Sequence, residues 1–167
     1  MNRDKIHQDL EEVRDTFHQL VRDARAEDLR RPSQGTRWTN RQLLFHMVFG
    51  FLIVRTLLPL VHTLGRLGWS RRFAIALNAA RRPFHLINYL GSVGGGMLIS
   101  PAGMVRLLDR SIRVLHRRLE AETDTSLALS MQFPPTWDPY FQPTMTVRDL
   151  YRYGTLHFDH HRRQLNY

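Results

Sequence analysis

Apolar residues recur at steps of three and four along much of the chain, which is the spacing of one face of an α-helix. The first such stretch runs through Ile6, Leu10, Val13, Phe17, Leu20 and Ala24. It predicts a first amphipathic helix that ends near Arg31-Pro32, because proline cannot continue a helix. Residues 33–37, which include Gly35, are then predicted to form a loop.

A second helix is predicted to begin at Thr39, since threonine followed three residues later by Gln42 forms a capping box. Residues 43–54 are almost continuously apolar. A membrane span needs about 20 such residues, and that length would include Arg55, Pro59 and His62. The pattern therefore favours a buried central helix over a membrane span.

Two more helices follow the same logic. Ser100 precedes Pro101 in the arrangement typical of a helix start. The inward face of this third helix is predicted to carry Met104, Leu108, Ser111, Leu115 and Leu119. A fourth helix begins at Thr146 with Asp149 as its capping partner, and its inward face runs through Val147, Leu150, Gly154, His157, His161 and Leu165. The patterns together predict an all-α, four-helix bundle in a single domain over residues 1–167.

Two segments depart from this pattern. Residues 65–90 mix arginines with apolar side chains, which predicts an extra surface helix with its charged groups in water, or alternatively a helix that binds a membrane surface or a partner. Residues 91–96 are rich in glycine but lack the ending of a phosphate-binding loop, so a flexible connector is expected. The chain is thus predicted to carry a helical insertion at about 65–96, between helices 2 and 3. Residues 123–143 contain four prolines and are predicted to form a long ordered loop.

Composition narrows the functional classes. The chain carries 24 basic and 15 acidic residues, a net charge of +9, and Lys5 is its only lysine. The arginines are spread along the whole chain rather than clustered, which argues against nucleic-acid binding. Cysteine is absent, so disulfides, thiolate metal sites and a cysteine nucleophile are excluded. The charged start has no apolar leader, and a cytoplasmic location is expected.

Three histidines are predicted to face the bundle interior. His157 and His161 lie four residues apart on the inward stripe, so both imidazoles can chelate one ion. His46 lies in an apolar run, where its ring needs hydrogen-bond partners or a metal to offset desolvation. Imidazoles suit zinc, nickel, copper or iron, and three protein ligands leave positions open for water or substrate. The alternative is a set of ordinary core histidines and a basic helix end.

Two neighbours of the histidine pair are predicted to have other roles. His160 is rotated by about 100 degrees from His161 and should point away from it. Asp159 lies between the two candidate ligands in sequence, and a structural salt bridge is expected for it rather than contact with the site.

The segments WTNRQLLFHM and MTVRDLYRYGTLHFDHHRRQL, which lie more than a hundred residues apart, together resemble the DinB/YfiT-like superfamily of metalloenzymes. In that family a tryptophan-serine/threonine helix start leads to a histidine on helix 2, and an H-x-x-x-H pair lies on the last helix. The matching positions are Trp38, Thr39, His46, His157 and His161. The resemblance implies a four-helix bundle, a three-histidine site that holds nickel or zinc, and frequently a homodimer.

The resemblance also implies an activity. Characterised members are similar to transferases that join a low-molecular-weight thiol, such as bacillithiol or mycothiol, to an electrophile, and a related branch isomerises maleylpyruvate. A chain without cysteine fits this chemistry because a cosubstrate would supply the thiol. The prediction is metal-dependent thiol transfer to a small-molecule substrate, with a hydrolase or isomerase also open, and Trp38, Arg41 and Tyr153 as candidate substrate contacts. The rival prediction is a non-catalytic, metal-stabilised binding module whose basic insertion docks a membrane surface or a protein.

Overall fold

The computed structural model describes residues 2–67, 75, 81–134 and 138–167, and most of these are helical. The helices are α1 Arg3–Asp23, α2 Ala26–Arg30, α3 Asn40–Leu67, α4 Arg81–Leu98, α5 Pro101–Ala121, α6 Asp124–Leu127 and α7 Val147–Arg162. The strands β1 Ser130–Gln132 and β2 Thr144–Thr146 pair antiparallel, with Ser130 opposite Thr146. The prediction of an all-α fold is confirmed.

Helices α1, α3, α5 and α7 enclose the core, and α4 packs against α3. The predicted inward residues of α5, from Met104 to Leu119, are all buried, as are the first four apolar residues of the α1 stripe. By length and composition α3 is apolar enough to cross a membrane, but more than half of its most apolar stretch is buried inside the protein. It is the central helix, and it contacts α4, α5 and α7.

The predicted helix starts agree with the structure. Gln42 Oε1 accepts a hydrogen bond from the backbone N–H of Thr39 at 3.0 Å, which positions the start of α3. At α7 the Thr146 hydroxyl accepts from the Asp149 N–H at 3.1 Å, and the Asp149 carboxylate accepts from the Thr146 N–H at 2.9 Å. These reciprocal bonds satisfy backbone groups that a helix end would otherwise leave unpaired. They fix where the two histidine-bearing helices begin.

The predicted end of the first helix was wrong. Helix α1 ends at Asp23, not near Arg31-Pro32, and the backbone of Ala24 is extended. A separate short helix, α2, then begins because the Asp28 carboxylate accepts from the Arg25 N–H at 3.0 Å. The cap at Asp28 therefore starts a separate helix, in a stretch that the apolar spacing alone assigned to the first helix.

The proline-rich segment 123–143 is more ordered than a loop. Thr123 and Ser126 cap each other across the start of α6, and β1 and β2 pair on either side of the stretch that contains the four prolines. Residues 135–137 lie outside the described part of the chain. The segment therefore forms a hairpin-like excursion that brings Asp138 back toward α7.

The interpretation of residues 91–96 as a flexible connector was also wrong. The whole glycine-rich run lies inside α4. A Cβ at Gly95 would overlap the ring of Phe45, and a Cβ at Gly96 would lie 2.7 Å from Gln42 Cα. The glycines therefore allow α4 to approach α3 closely. Residues 68–74, which include Arg71 and Arg72, and residues 76–80 of the predicted insertion lie outside the described residues.

Candidate metal centre

The imidazoles of His46 on α3 and of His157 and His161 on α7 converge inside the bundle. Their ring centroids are 4.9 Å apart for His46 and His157, 4.5 Å for His46 and His161, and 4.6 Å for the α7 pair. One ring nitrogen from each lies within 4.8 Å of the other two. The three residues are 4%, 3% and 9% exposed. The predicted meeting of histidines from the second and last bundle helices is thus present, whereas metal binding itself stays a prediction.

Hydrogen bonds set the tautomers of two of these rings. The Ser92 hydroxyl donates its one proton to the Asn88 carbonyl at 2.8 Å, so it can only accept from His46 Nδ1, which lies 3.0 Å away. On the other ring, Gln164 Oε1 accepts from His161 Nδ1 at 2.7 Å. Both Nδ1 atoms therefore carry the proton, and both Nε2 atoms present a lone pair.

Those two lone pairs face each other. His46 Nε2 and His161 Nε2 are 3.1 Å apart, and two hydrogen-bond acceptors at that distance repel each other unless a cation lies between them. Nitrogens bound to one ion at 2.0–2.1 Å are separated by roughly 2.8–3.4 Å in octahedral or tetrahedral geometry. The observed separation fits two ligands of a single metal ion.

His157 completes the cluster from a gap in α3. A Cβ at Gly50, one helical turn after His46, would lie 2.6 Å from His157 Nδ1, so only glycine leaves room for this ring. His157 Nδ1 is buried and has no hydrogen-bond partner, and His157 Nε2 lies 3.8 Å from Asp138 Oδ2. An unpartnered buried nitrogen is costly, and a metal ligand bond would satisfy it.

Burial keeps all three imidazoles neutral. Desolvation is the main cause that lowers the pKa of His46 to about 3 and that of His161 to about 4. The pKa of His157 is lowered well below its usual value by the same effect and by its two neighbours in the cluster. Neutral imidazole is the form that binds metals, so at neutral pH no proton has to be displaced before an ion binds.

A cavity of about 20 Å³ adjoins His46 and His157, with Gly50, Asp138 and Tyr153 among its walls. That volume holds about one water-sized group. The Tyr153 hydroxyl donates to Asp138 Oδ2 at 3.1 Å. Burial raises the pKa of the Asp138 carboxyl and, together with the adjacent carboxylate, that of Tyr153. The open side of the cluster is therefore lined by a carboxyl and a phenol.

The three candidate substrate contacts differ in position. The indole of Trp38 packs on His46 with ring centroids 4.4 Å apart, and Tyr153 lines the cavity next to His157. The Arg41 guanidinium instead donates to the carbonyls of Met97 and Ile99 at the end of α4. Trp38 and Tyr153 thus border the cluster and Arg41 holds α4, while substrate binding stays a prediction for all three.

The two neighbours of the histidine pair lie as expected. Asp159 pairs with Arg162 one turn later, at 3.6 Å. His160 Nδ1 lies 3.3 Å from the Tyr140 hydroxyl, away from the shared point of the cluster. Neither side chain contributes an atom to the three-histidine group.

Three residues that hold the cluster were not predicted from the sequence: Ser92, Asp138 and Gln164. Ser92 lies in the run that was interpreted as a connector, and Asp138 lies in the proline-rich segment, so no periodic pattern placed either one. Gln164 follows His161 by three residues, the spacing at which helical side chains meet. That spacing is a signal that could have identified it.

Comparison with known proteins identifies the family but gives no individual relative. No curated protein and no solved structure is significantly similar to the chain. The family model of the DinB superfamily matches residues 9–165, which include all three histidines and the helices that carry them. The chain therefore belongs to the DinB superfamily.

Proposed function

We propose that this protein is a metal-dependent enzyme that binds one divalent ion, zinc or nickel, through His46, His157 and His161. The observation that carries the proposal is the pair of Nε2 lone pairs of His46 and His161 that face each other at 3.1 Å, with one ring nitrogen of His157 within 4.8 Å of a ring nitrogen from each. Iron and copper also accept imidazole ligands, and the metal analysis below distinguishes them.

The residues around the histidines have positioning roles in this proposal. Ser92 and Gln164 hold the rings of His46 and His161 in the tautomer that leaves Nε2 free. Gly50 admits the ring of His157. An ion bound by three imidazoles keeps open positions and lowers the pKa of a coordinated thiol or water.

Thiol transfer is the reaction class that we propose. The chain has no cysteine, so a low-molecular-weight thiol such as mycothiol or bacillithiol would act as cosubstrate. The cavity of about 20 Å³ has room for about one water-sized group. In this proposal it would receive the reacting sulfur, and the remainder of the thiol and the electrophile would lie outside it. Sulfur bonds to the electrophilic carbon, and the thiol proton passes to the atom that receives the displaced electron pair. The Asp138 carboxylate is placed to hold that proton at Oδ2 between the two events.

Metal content tests the site directly. Elemental analysis of the purified protein should find about one zinc or nickel per chain, and His161→Ala should lose it because two ligands hold an ion far more weakly than three. His160→Ala is the matched control, since its imidazole lies beside His161, with ring centroids 4.9 Å apart, but is not one of the three grouped ligands. Stoichiometric metal in His161→Ala would contradict the proposed site.

Turnover tests the reaction class. The metal-loaded protein, mixed with mycothiol or bacillithiol and a bimane electrophile, should accelerate loss of free thiol, and a chelator should abolish the acceleration. Asp138→Asn should lower the rate while metal stays bound. If the loaded protein consumes no thiol with any electrophile of a broad panel, the thiol-transfer proposal is wrong. If water alone is the nucleophile, the proposal is also wrong, and hydrolysis at the same site takes its place.

A further inference from the structure

Helix α4 turns its bulky apolar side chains toward solvent. The exposed fractions are 58% for Leu86, 64% for Ile87, 55% for Leu90, 66% for Met97 and 87% for Leu98. Among the described side chains, the large apolar ones that are strongly exposed all fall within residues 75–98. Clustered apolar exposure of this kind marks an interaction surface, whereas scattered residues do not. We call Leu86, Ile87, Leu90, Met97 and Leu98 the α4 outer face.

The inner side of α4 explains why the protein cannot bury the outer face itself. Ser92, Gly95 and Gly96 face α3, and their small size lets the two backbones approach. A helix on a globular core normally directs its large apolar side chains inward. In α4 this order is reversed, so rotating the helix to bury Leu86 and Leu90 would break the contact with His46.

The part of the sequence that contains α4 carries formal charges of one sign only. Residues 29–108 contain no aspartate or glutamate, although the chain has 15 acidic residues elsewhere. The same stretch contains Arg30, Arg31, Arg37, Arg41, Arg55, Arg66, Arg71, Arg72, Arg81, Arg82 and Arg106. Arg81 and Arg82 begin α4, and the Arg41 guanidinium lies at its end on the carbonyls of Met97 and Ile99. The apolar face of α4 thus belongs to a stretch of the sequence whose formal charges are all positive.

We propose that the α4 outer face docks on a bilayer surface that contains anionic phospholipid. Apolar side chains of an interfacial helix enter the boundary between headgroups and acyl chains, and arginines bind the phosphates. A second copy of this chain fits less well, because a two-fold interface would place two acid-free, arginine-rich segments against each other. This inference rests on α4 alone and does not depend on bound metal or on turnover.

Vesicle sedimentation of the full chain tests the proposal. At physiological salt the protein should sediment with vesicles of phosphatidylcholine mixed with phosphatidylglycerol and should stay in solution with phosphatidylcholine alone. The double variant Leu86→Gln/Leu90→Gln keeps the net charge and removes two apolar contacts, so its binding to the anionic vesicles should be about tenfold weaker. Both positions are exposed, and an unchanged circular dichroism spectrum will verify the fold.

A matched control distinguishes docking through the α4 outer face from nonspecific electrostatic attraction of the basic protein to anionic lipid. Arg113→Gln/Arg117→Gln removes two exposed cations from α5, whose main contacts are with α1 and α3. Binding of this variant should stay within about twofold of the wild type, since distant surface charges are screened. Absence of binding to anionic vesicles, or an equal loss in both double variants, overturns the proposal. So does a lipid-free dimer in analytical ultracentrifugation that dissociates in Leu86→Gln/Leu90→Gln, because a second copy would then cover the face.

Discussion

Helices α7 and α4 both pack on α3 and both contribute to the histidine cluster, but they reach it in opposite ways. Helix α7 inserts the large ring of His157 into a gap that Gly50 leaves in α3. Helix α4 itself provides the gap, since Gly95 and Gly96 accommodate Phe45 and Gln42 of α3. The side of a helix that faces a protein core is therefore set by fit as well as by hydropathy, and in α4 the small residues face inward.

The largest effect on stability is expected where the backbones of α4 and α3 are in contact. Gly96→Ala places a methyl group 2.7 Å from Gln42 Cα, and a main-chain atom cannot move aside without shifting α4. We expect a loss of about 2 kcal/mol in the free energy of unfolding, as for other overpacked contacts. Chemical denaturation with and without a chelator measures this, because the displaced helix also carries Ser92.

Gly94→Ala is the control for that substitution on the same helix. No atom lies within 4 Å of a Cβ at this position, so alanine keeps only its advantage in helix propensity and should stabilise the protein by about 0.5–1 kcal/mol. Opposite signs for two substitutions two residues apart would confirm that α4 packs through its glycines. Equal stability of the two variants would show that this contact is absent.

The difference between α7, which packs through large side chains, and α4, which packs through glycines, explains what the sequence could predict. The α7 stripe alternates large apolar residues and histidines at helical spacing, so its inward face could be recognised and its ligands paired with His46. The capping boxes at Thr39 and Thr146 placed both helices correctly because their hydrogen bonds are local. Helix α4 has no such signal: glycine has low helix propensity, and its packing role depends on residues of α3 some fifty positions away. The local glycine pattern of residues 91–96 therefore indicates a connector, although contacts with α3 hold this segment in a helix.

Asp138 was missed for a related reason. It follows a proline-rich segment with no periodic pattern, and it reaches the site only because β1 and β2 pair across that segment. The register of two three-residue strands depends on contacts with the rest of the fold more than on their own composition. The histidines and the bordering Trp38 and Tyr153 could be predicted from the sequence, and Gln164 had a spacing signal, but Ser92 and Asp138 had none.

An intermediate effect is expected on the α7 side of the comparison. Gly50→Ala would place a methyl group 2.6 Å from His157 Nδ1 and 2.9 Å from Cε1, so the ring must turn out of the cluster. Metal affinity should fall about 10–100-fold, the range found when the support of a ligand is disturbed. Competition with a fluorescent zinc chelator measures the affinity of each variant.

Gly154→Ala provides the comparison for Gly50→Ala at the same helix contact. Its Cβ would touch Phe51 at 3.1 Å and Val54 at 3.4 Å, but no atom of the histidines is among its close contacts. This variant should lose some stability and keep its metal affinity. If both variants lose metal equally, general loosening of the α3–α7 contact is responsible, and His157 needs no specific space at Gly50.

The smallest effect is expected from the hydrogen bond that Ser92 of α4 makes with the cluster. Ser92→Ala removes the acceptor of His46 Nδ1–H, so the ring can adopt the other tautomer, in which Nε2 is protonated and cannot bind metal. We expect about tenfold weaker metal binding with little change in helix content. Ser111→Ala removes a buried hydroxyl of α5 that bonds Leu107 and Arg55, and its metal affinity should equal that of the wild type. Equal affinity of Ser92→Ala and Ser111→Ala would mean that α4 only covers the centre, and that α7 and α3 alone position its ligands.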